Sequence, residues 1–356
     1  MFEDRTKRTE LSEIGEFGLI DLLSKDISKS KDSTLYGIGD DCAVMDAAGK
    51  KILISTDLLI EGVHFDMVYT PLKHLGYKAV VVNLSDVAAM NAIPEQITVS
   101  IGVSNRFSVE AVEELYRGIK LAASRYGVDI VGGDTTSSKK GLIISITAVG
   151  YADEKDIVYR HGASKGELLC VSGDLGGAYA GLLVLQREKS AFVVNPGMQP
   201  DLQGKEYILE RQLKPEARVD VVKLLRELKV KPTAMIDISD GLASEVKHLC
   251  KQSKLGCTVY EDKIPIDQQT WDTARSFDMD PTTCALNGGE DYELLFSIKQ
   301  ADYEKVKGNP DIKVIGYFTE ENEGINLITK NGLQTELKAQ GWDGIKNEPK
   351  DDKEAK

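Results

Sequence analysis

The sequence predicts an α/β protein of two domains. Three observations carry that expectation. The chain has 356 residues, enough for two cores. Strand-like and helix-like segments alternate along it. The alternation also breaks once, at the polar stretch Asp153 to Glu167, and then restarts. We therefore expect domains over 1–152 and 153–345, followed by a charged, disordered tail over 346–356.

In the first half, Lys51 to Thr56 reads as a strand, and Leu72 to Ala89, rich in Ala, Val and Leu after Pro71, as a helix. Gln96 to Val103 is a β-branched strand. Ser108 can cap the next helix, whose apolar positions Val109, Val112, Tyr116, Ile119 and Ala123 recur three or four apart. Val128 to Val131 and Leu142 to Tyr151 complete a β-α-β-α-β-β order. In the second half, Leu168 to Ser172 is a strand and Gly176 to Arg187 a helix. Ser190 to Lys205, with two Pro and two Gly, is expected to be a surface loop. Pro215 suits the first turn of a helix running to Leu228. A strand over Ala234 to Ile236, a helix over Asp240 to Lys254, and strands over Tyr292 to Ile298, Lys313 to Phe318 and Ile325 to Ile328 follow.

Composition removes several function classes. Lys and Arg number 44 against 57 Asp and Glu, a net charge of −13, which argues against a surface that coats nucleic acid. No apolar run approaches the roughly 18 residues of a membrane helix, and the charged start Met1 to Glu10 does not read as a secretory signal. Five scattered cysteines form no C-x-x-C pair, so reduced thiols in the cytoplasm are expected and a zinc site is not. The P-loop, protein-kinase and G-x-S-x-G signatures are missing.

The acids themselves are informative. They gather beside glycines and hydroxyl residues in Gly37-Ile38-Gly39-Asp40-Asp41, Ser55-Thr56-Asp57, Asn83-Leu84-Ser85-Asp86, Gly132-Gly133-Asp134-Thr135-Thr136, Asp237-Ile238-Ser239-Asp240-Gly241 and Asn287-Gly288-Gly289-Glu290-Asp291. Any one of these alone reads first as a turn or a helix cap. Six of them, mostly at strand or helix ends, point to cations held by carboxylates and hydroxyls. Oxygen donors without Cys or His favour Mg²⁺ and phosphates.

Together with Gly62-Val63-His64-Phe65 and Tyr292-Glu293-Leu294, these segments resemble, in order from about Gly15 to Trp342, the thiamine-monophosphate kinases of the aminoimidazole-ribonucleotide synthetase superfamily. The resemblance implies an N-terminal α/β domain that pairs across a homodimer into a β-barrel, with a C-terminal α/β domain beside it. It implies ATP and thiamine phosphate as substrates, with thiamine diphosphate and ADP as products. By motif, Asp41, Ser55, Thr56, Asp57, Asp86, Asp134, Asp237 and Asp240 resemble Mg²⁺ ligands. Gly133, Asp134, Arg160 and Ser239 resemble ATP contacts, with Tyr116 a candidate for the adenine pocket. His64, Glu290 and Trp342 resemble contacts to thiamine phosphate.

No general base is expected. A phosphate monoester has a second pKa near 6 and is already nucleophilic at neutral pH. The obstacle is repulsion between two anions, so positioning and charge neutralisation should suffice for direct in-line transfer. Two rival readings are another reaction of the superfamily and a non-catalytic nucleotide- or metal-binding module. The segment before Gly37 lacks the Cys that selenophosphate synthesis uses, and the chain ends Glu354-Ala355-Lys356 rather than in the Cys of hydrogenase-maturation relatives.

Overall fold

The computed structural model describes residues 22–36, 44–45, 47 and 49–339. Asp41 and Trp342, with the proposed tail, lie outside the described residues. A short pair, β1 (Thr34–Tyr36) and β2 (Val44–Met45), precedes the first large sheet.

That sheet contains β3 (Lys51–Ile60), β4 (Ile93–Val103), β5 (Asp129–Ser137) and β6 (Leu142–Ala152), in the order β3-β6-β4-β5. β4 and β5 run parallel and the other pairs antiparallel. Helices α1 (Leu72–Ala89) and α2 (Val109–Tyr126) complete the expected β-α-β-α-β-β order. Ser108 caps α2 by accepting from the Ala111 N–H at 3.3 Å, and Gly127 ends the helix at φ 66°. α1 is different. It is apolar on nearly every side, and fourteen of its eighteen residues are buried, the mark of a helix packed all round. Gly76 of α1 faces the Leu115 carbonyl of α2, and Gly118 faces the Lys73 carbonyl. A Cβ at either position would overlap backbone, so the two helices meet main chain to main chain.

Among the described residues, no element of the core covers the other face of the sheet. Ile52, Ile54 and Leu58 of β3 are 44%, 69% and 49% exposed there. Alternation along β3 places Leu53, Ser55, Asp57 and Leu59 on the helix-covered side and Thr56 on the open one.

The second half builds a seven-stranded mixed sheet. Its strands are β7 (Leu168–Ser172), β8 (Ala234–Asp237), β9 (Leu255–Tyr260), β10 (Leu294–Ile298), β11 (Ile312–Glu320), β12 (Ile325–Ile328) and β13 (Gln334–Glu336), ordered β13-β12-β9-β11-β7-β10-β8. Only β12 and β9 pair in parallel. The helices are α3 (Gly177–Val194), α4 (Glu206–Leu213), α5 (Val219–Glu227), α6 (Leu242–Ser253), α7 (Gln268–Ser276), α8 (Pro281–Asn287) and α9 (Tyr303–Val306). One hydrophobic core runs from the first sheet through α1 and α2 to Val222 and Leu225 of α5, Met235 of β8 and Phe296 of β10. A second lies beneath α6 and the far strands.

Three sequence expectations need correction. The segment 190–205 is not all loop, because α3 continues to Val194 and only 195–205 is irregular. Pro215 does not open a helix. It lies in the link between α4 and α5, and α5 begins at Val219. The strand expected from Tyr292 starts at Leu294, since Glu290 and Tyr292 take left-handed φ values of 58° and 53° that a strand cannot contain.

Candidate active site

The site is built where α1 passes between the two sheets. Asn83 and Asp86, three residues apart, share the face of α1 toward β3. The Asn83 amide anchors itself by donating to the Ala79 carbonyl (3.0 Å), and its oxygen accepts the Asp57 backbone N–H at 2.9 Å. The Ser55 hydroxyl donates to Asp86 Oδ2 in a very short contact. Lys78 and Ser85 are seven residues apart, two turns of helix, and both meet the second half of the chain. Ser85 Oγ donates to Asp237 Oδ2 at 2.7 Å, at the end of β8.

Asp57, Asp86 and Asp237 therefore form an acidic group spanning the two halves. Asp237 is only 4% exposed. Burial, reinforced by the Asp86 charge, pushes its pKa up to about 7. The same two causes push Asp57 up to about 6. Burial also raises Asp86, opposed by its hydrogen bond from Ser55 and by the Arg160 cation. Arg160 is exposed and lowers both Asp86 and Asp237. It shares a pocket of about 360 Å³ with Ser55, Asp86, Asp237, Tyr159, His161 and Gln252. Tyr159 and His161 stack there with ring centroids 5.2 Å apart. A larger hollow of about 560 Å³, beside Lys263, Tyr303 and Lys313, contains none of the candidate residues.

Two loops close the second half of the site. The Glu290 N–H donates to the Ser239 carbonyl at 2.7 Å, the Tyr292 N–H to the Ile238 carbonyl at 2.9 Å, and the Ile238 N–H to the Glu293 carbonyl at 2.8 Å. Gly289, at φ 69°, permits this stitching, since a Cβ would press on the Ser239 carbonyl. Asp240 donates its N–H to Glu245 Oε1 at 3.1 Å. Glu245 is buried beside Asp240 and Asp237, and its pKa is pushed up to about 8, mainly by burial. Beneath the loop, the buried Glu293 is held by Arg211 at 2.9 Å and Arg218 at 2.5 Å, while Asp291 accepts the Gly176 N–H at 2.8 Å ahead of α3.

The remaining candidates fall elsewhere. His64 is exposed on the 61–70 loop, where its Nδ1 accepts the Ile60 N–H at 3.0 Å, leaving the ring proton of the neutral form on Nε2. Partial burial lowers its pKa, opposed by the charge of Glu290. Asp134 stands in register with Ser100 of β4, which pairs in turn with Ser145 of β6 and, through it, Leu58. That row belongs to the open face, as does Thr56, whose hydroxyl donates to the Ile146 carbonyl (3.1 Å) and accepts from Thr147 (3.1 Å). Thr56 and Asp134 are thus not brought together with Asp57, Asp86 and Asp237. A Cβ on Gly133 would overlap the Val99 carbonyl, so that glycine also has a packing reason to be there. Tyr116 lies in the core, 8% exposed, with Leu115 and Ile119. Its place in the apolar spacing of α2 accounts for it.

Sequence reasoning missed Lys78, Gln212, Glu245 and the Tyr159–His161 pair. The one available signal was a lysine next to the apolar run from Ala79 to Val82.

Residues 39–152 match the family described as AIR synthase related protein, N-terminal domain, and residues 165–327 match its C-terminal domain. A thiamine-monophosphate kinase of Aquifex aeolicus is 36% identical, over 93% of this chain and 98% of its own length. The chain belongs to the thiamine-monophosphate kinase family. The family member from Bacillus subtilis is 30% identical over 87% of this chain and 93% of its own. Among solved structures, AaThiL complexed with AMPPCP and TMP superposes with a TM-score of 0.71 at 33% identity, covering 94% of this chain and 99% of that one. The thiamine-monophosphate kinase of Stenotrophomonas maltophilia K279a gives 0.73 at 30% identity, covering 90% and 95%. The E. coli hydrogenase maturation protein HypE, 20% identical with a TM-score of 0.72 and coverage of 90% and 95%, shares the fold. These kinases and this chain thus have in common a two-domain α/β fold with mixed sheets.

Proposed function

We propose that this chain transfers the γ-phosphoryl group of ATP directly to thiamine phosphate, with Mg²⁺, giving thiamine diphosphate and ADP. ATP-dependent phosphorylation of thiamine monophosphate is the activity of the family to which it belongs. The observation that carries the site assignment is the acidic group Asp57–Asp86–Asp237, of which Asp86 and Asp237 line the Arg160 pocket.

The residues present fit a hard divalent cation in donor chemistry. Asp57, Asp86 and Asp237, with Ser55, offer only oxygen; burial raises all three carboxyl pKa values, and the Asp86 charge adds to the rise at Asp57 and Asp237. Among the described residues, no three His, Cys, Asp or Glu side chains close around a single point, so oxygens from outside this set must complete any ion's shell. When bound, Mg²⁺ would neutralise the repulsion between the two phosphates. Arg160, which lines the pocket, is proposed to grip a phosphate oxygen. Glu290 and His64 are proposed to face the thiamine moiety, and Ser239, whose backbone is fixed by Glu290, the nucleotide. Asp41, Asp240 and Trp342 remain proposed contributors on motif alone. No side chain is needed to take a proton, because the acceptor phosphate is already ionised.

We also propose that the open face of the first sheet, with Ile52, Ile54 and Leu58, pairs with a second copy to close a β-barrel. The proposed domain boundary is 152/153. Cys170, Cys250, Cys257 and Cys284 are unpaired, in keeping with the proposed cytoplasmic site of action, and among the described residues no helix is long and apolar enough to cross a membrane.

The test is a product assay with ATP and thiamine phosphate, using thiamine and formylglycinamidine ribonucleotide as alternative acceptors. Thiamine diphosphate formed only from the monophosphate supports the reading. A labelled phosphoryl group trapped on the protein during turnover overturns direct transfer.

A further inference from the structure

Lys78 sits in the middle of α1, where nearly every neighbour is apolar, and is 5% exposed. A lysine so placed carries a large desolvation penalty unless its charge is paired. It is paired twice. Its Nζ donates to the Gln212 carbonyl at 3.0 Å and forms an ion pair with Glu290 Oε1 at 2.9 Å. The side chain of Gln212 completes the arrangement, its Nε2 donating to Glu290 Oε2 at 2.7 Å. Each oxygen of the Glu290 carboxylate is therefore held by a different element, one by α1 and one by α4.

Two further features show that this placement is sustained against local preference. Glu290 has φ 58°, a left-handed conformation that a non-glycine residue keeps only where its surroundings dictate it. The Gln212 side-chain oxygen is buried without a hydrogen-bond partner among the described residues, so this amide has given up one interaction while making the other. A methionine at 78 and a leucine at 212 would satisfy the packing alone. The polar pair makes sense through what it does to Glu290.

We infer that Lys78 and Gln212 are positioning residues for thiamine phosphate, acting by clamping the Glu290 carboxylate in one orientation toward the substrate. The inference rests on the reading of Glu290 as a substrate contact. A clamped anion is matched to the cationic thiazolium or an aminopyrimidine N–H of thiamine, and a free-swinging one would have to be ordered at each binding event.

The experiment is steady-state kinetics on the full-length enzyme and its Glu290→Gln, Lys78→Met, Lys78→Arg, Gln212→Leu and Lys78→Met/Glu290→Gln variants, with melting temperatures in parallel. Glu290→Gln should raise KM for thiamine phosphate. Lys78→Met should raise it by about tenfold or more, the scale of a lost charged hydrogen bond, with KM for ATP within about twofold. Lys78→Arg should recover part of the loss. The double variant should be no worse than Glu290→Gln alone. If Lys78→Met does not fold, Gln212→Leu, alone and combined with Glu290→Gln, carries the same cycle. Equal effects of Lys78→Met in both backgrounds, a parallel rise in KM for ATP, or no effect overturn the clamp. If Glu290→Gln raises KM and both clamp variants leave it unchanged, only the clamp falls. If Glu290→Gln itself changes nothing, the substrate-contact reading falls with it.

Discussion

Replacing Asp237 by Asn should make the metal-free protein more stable while removing its activity. Asp237 is fully desolvated, and its pKa is pushed up from 3.8 to about 7 by burial and by the Asp86 charge. The fold therefore favours the protonated form. The contribution of this group to stability is fully present below about pH 4, falls as pH rises, and is exhausted above about pH 7. Three pH units correspond to a penalty on the order of 4 kcal/mol at pH 8, and less than half of that at pH 5. Asparagine mimics the protonated side chain and can still accept from Ser85, so it escapes the penalty at every pH. Removing the charge also relieves Asp86. The assay is thermal and urea unfolding of wild type and Asp237→Asn in chelator at pH 5 and pH 8. The variant should melt several degrees higher at pH 8 and closer to wild type at pH 5. Added Mg²⁺ should stabilise the wild type more than the variant, because a ligand that binds the native state raises its stability by mass action. A variant no more stable than wild type at pH 8, or one whose advantage does not shrink at pH 5, would refute the account of this acidic group.

Three further outcomes are expected. Asp57→Asn should lower kcat by about a hundredfold or more, the scale of a lost electrostatic contribution, without lowering the melting temperature, because burial already holds that carboxyl up to about 6; kinetics at saturating Mg²⁺ and calorimetry check both halves. Gly118→Ala should destabilise the fold by several kcal/mol, since its methyl group would overlap the Lys73 carbonyl and force α1 and α2 apart; a melting curve reads it. Ile54→Asp, on the open sheet face, should shift a dimer to monomers in light scattering while leaving the monomer's circular dichroism unchanged.

Much of the first half was legible because its periodicities are strong. Leu72–Ala89 matches residue for residue, and the Ser108 cap is where its hydroxyl and spacing place it. What failed did so for physical reasons. α4 is only eight residues long, too short for its buried Ile208 and Gln212 to show a period, and its absence from the prediction drew Pro215 into the wrong element. The acidic residues were found by composition beside glycine and hydroxyls, but composition does not say which face of a strand a residue occupies. Ser55 and Thr56 are neighbours in sequence, yet one reaches Asp86 and the other hydrogen-bonds across the open face. Lys78 is hidden in the sequence because Lys73, five residues earlier on the same helix, is exposed, and only the fold shows which of the two is buried.

Helix α1 also fixes a length. Lys78, which touches Glu290, and Asp86, which sits with Asp57 and Asp237, lie eight residues apart on one unbroken, fully packed rod. At 1.5 Å per residue that is about 12 Å along its axis. A rod anchored by glycine contacts on one side and by the first core cluster around it cannot stretch or bend cheaply. On the proposed site assignment it would act as a ruler between the place where thiamine is recognised and the place where phosphate is transferred. An acceptor whose phosphate hangs at another distance from its ring would be measured against that ruler and misplaced, even if each end bound well by itself.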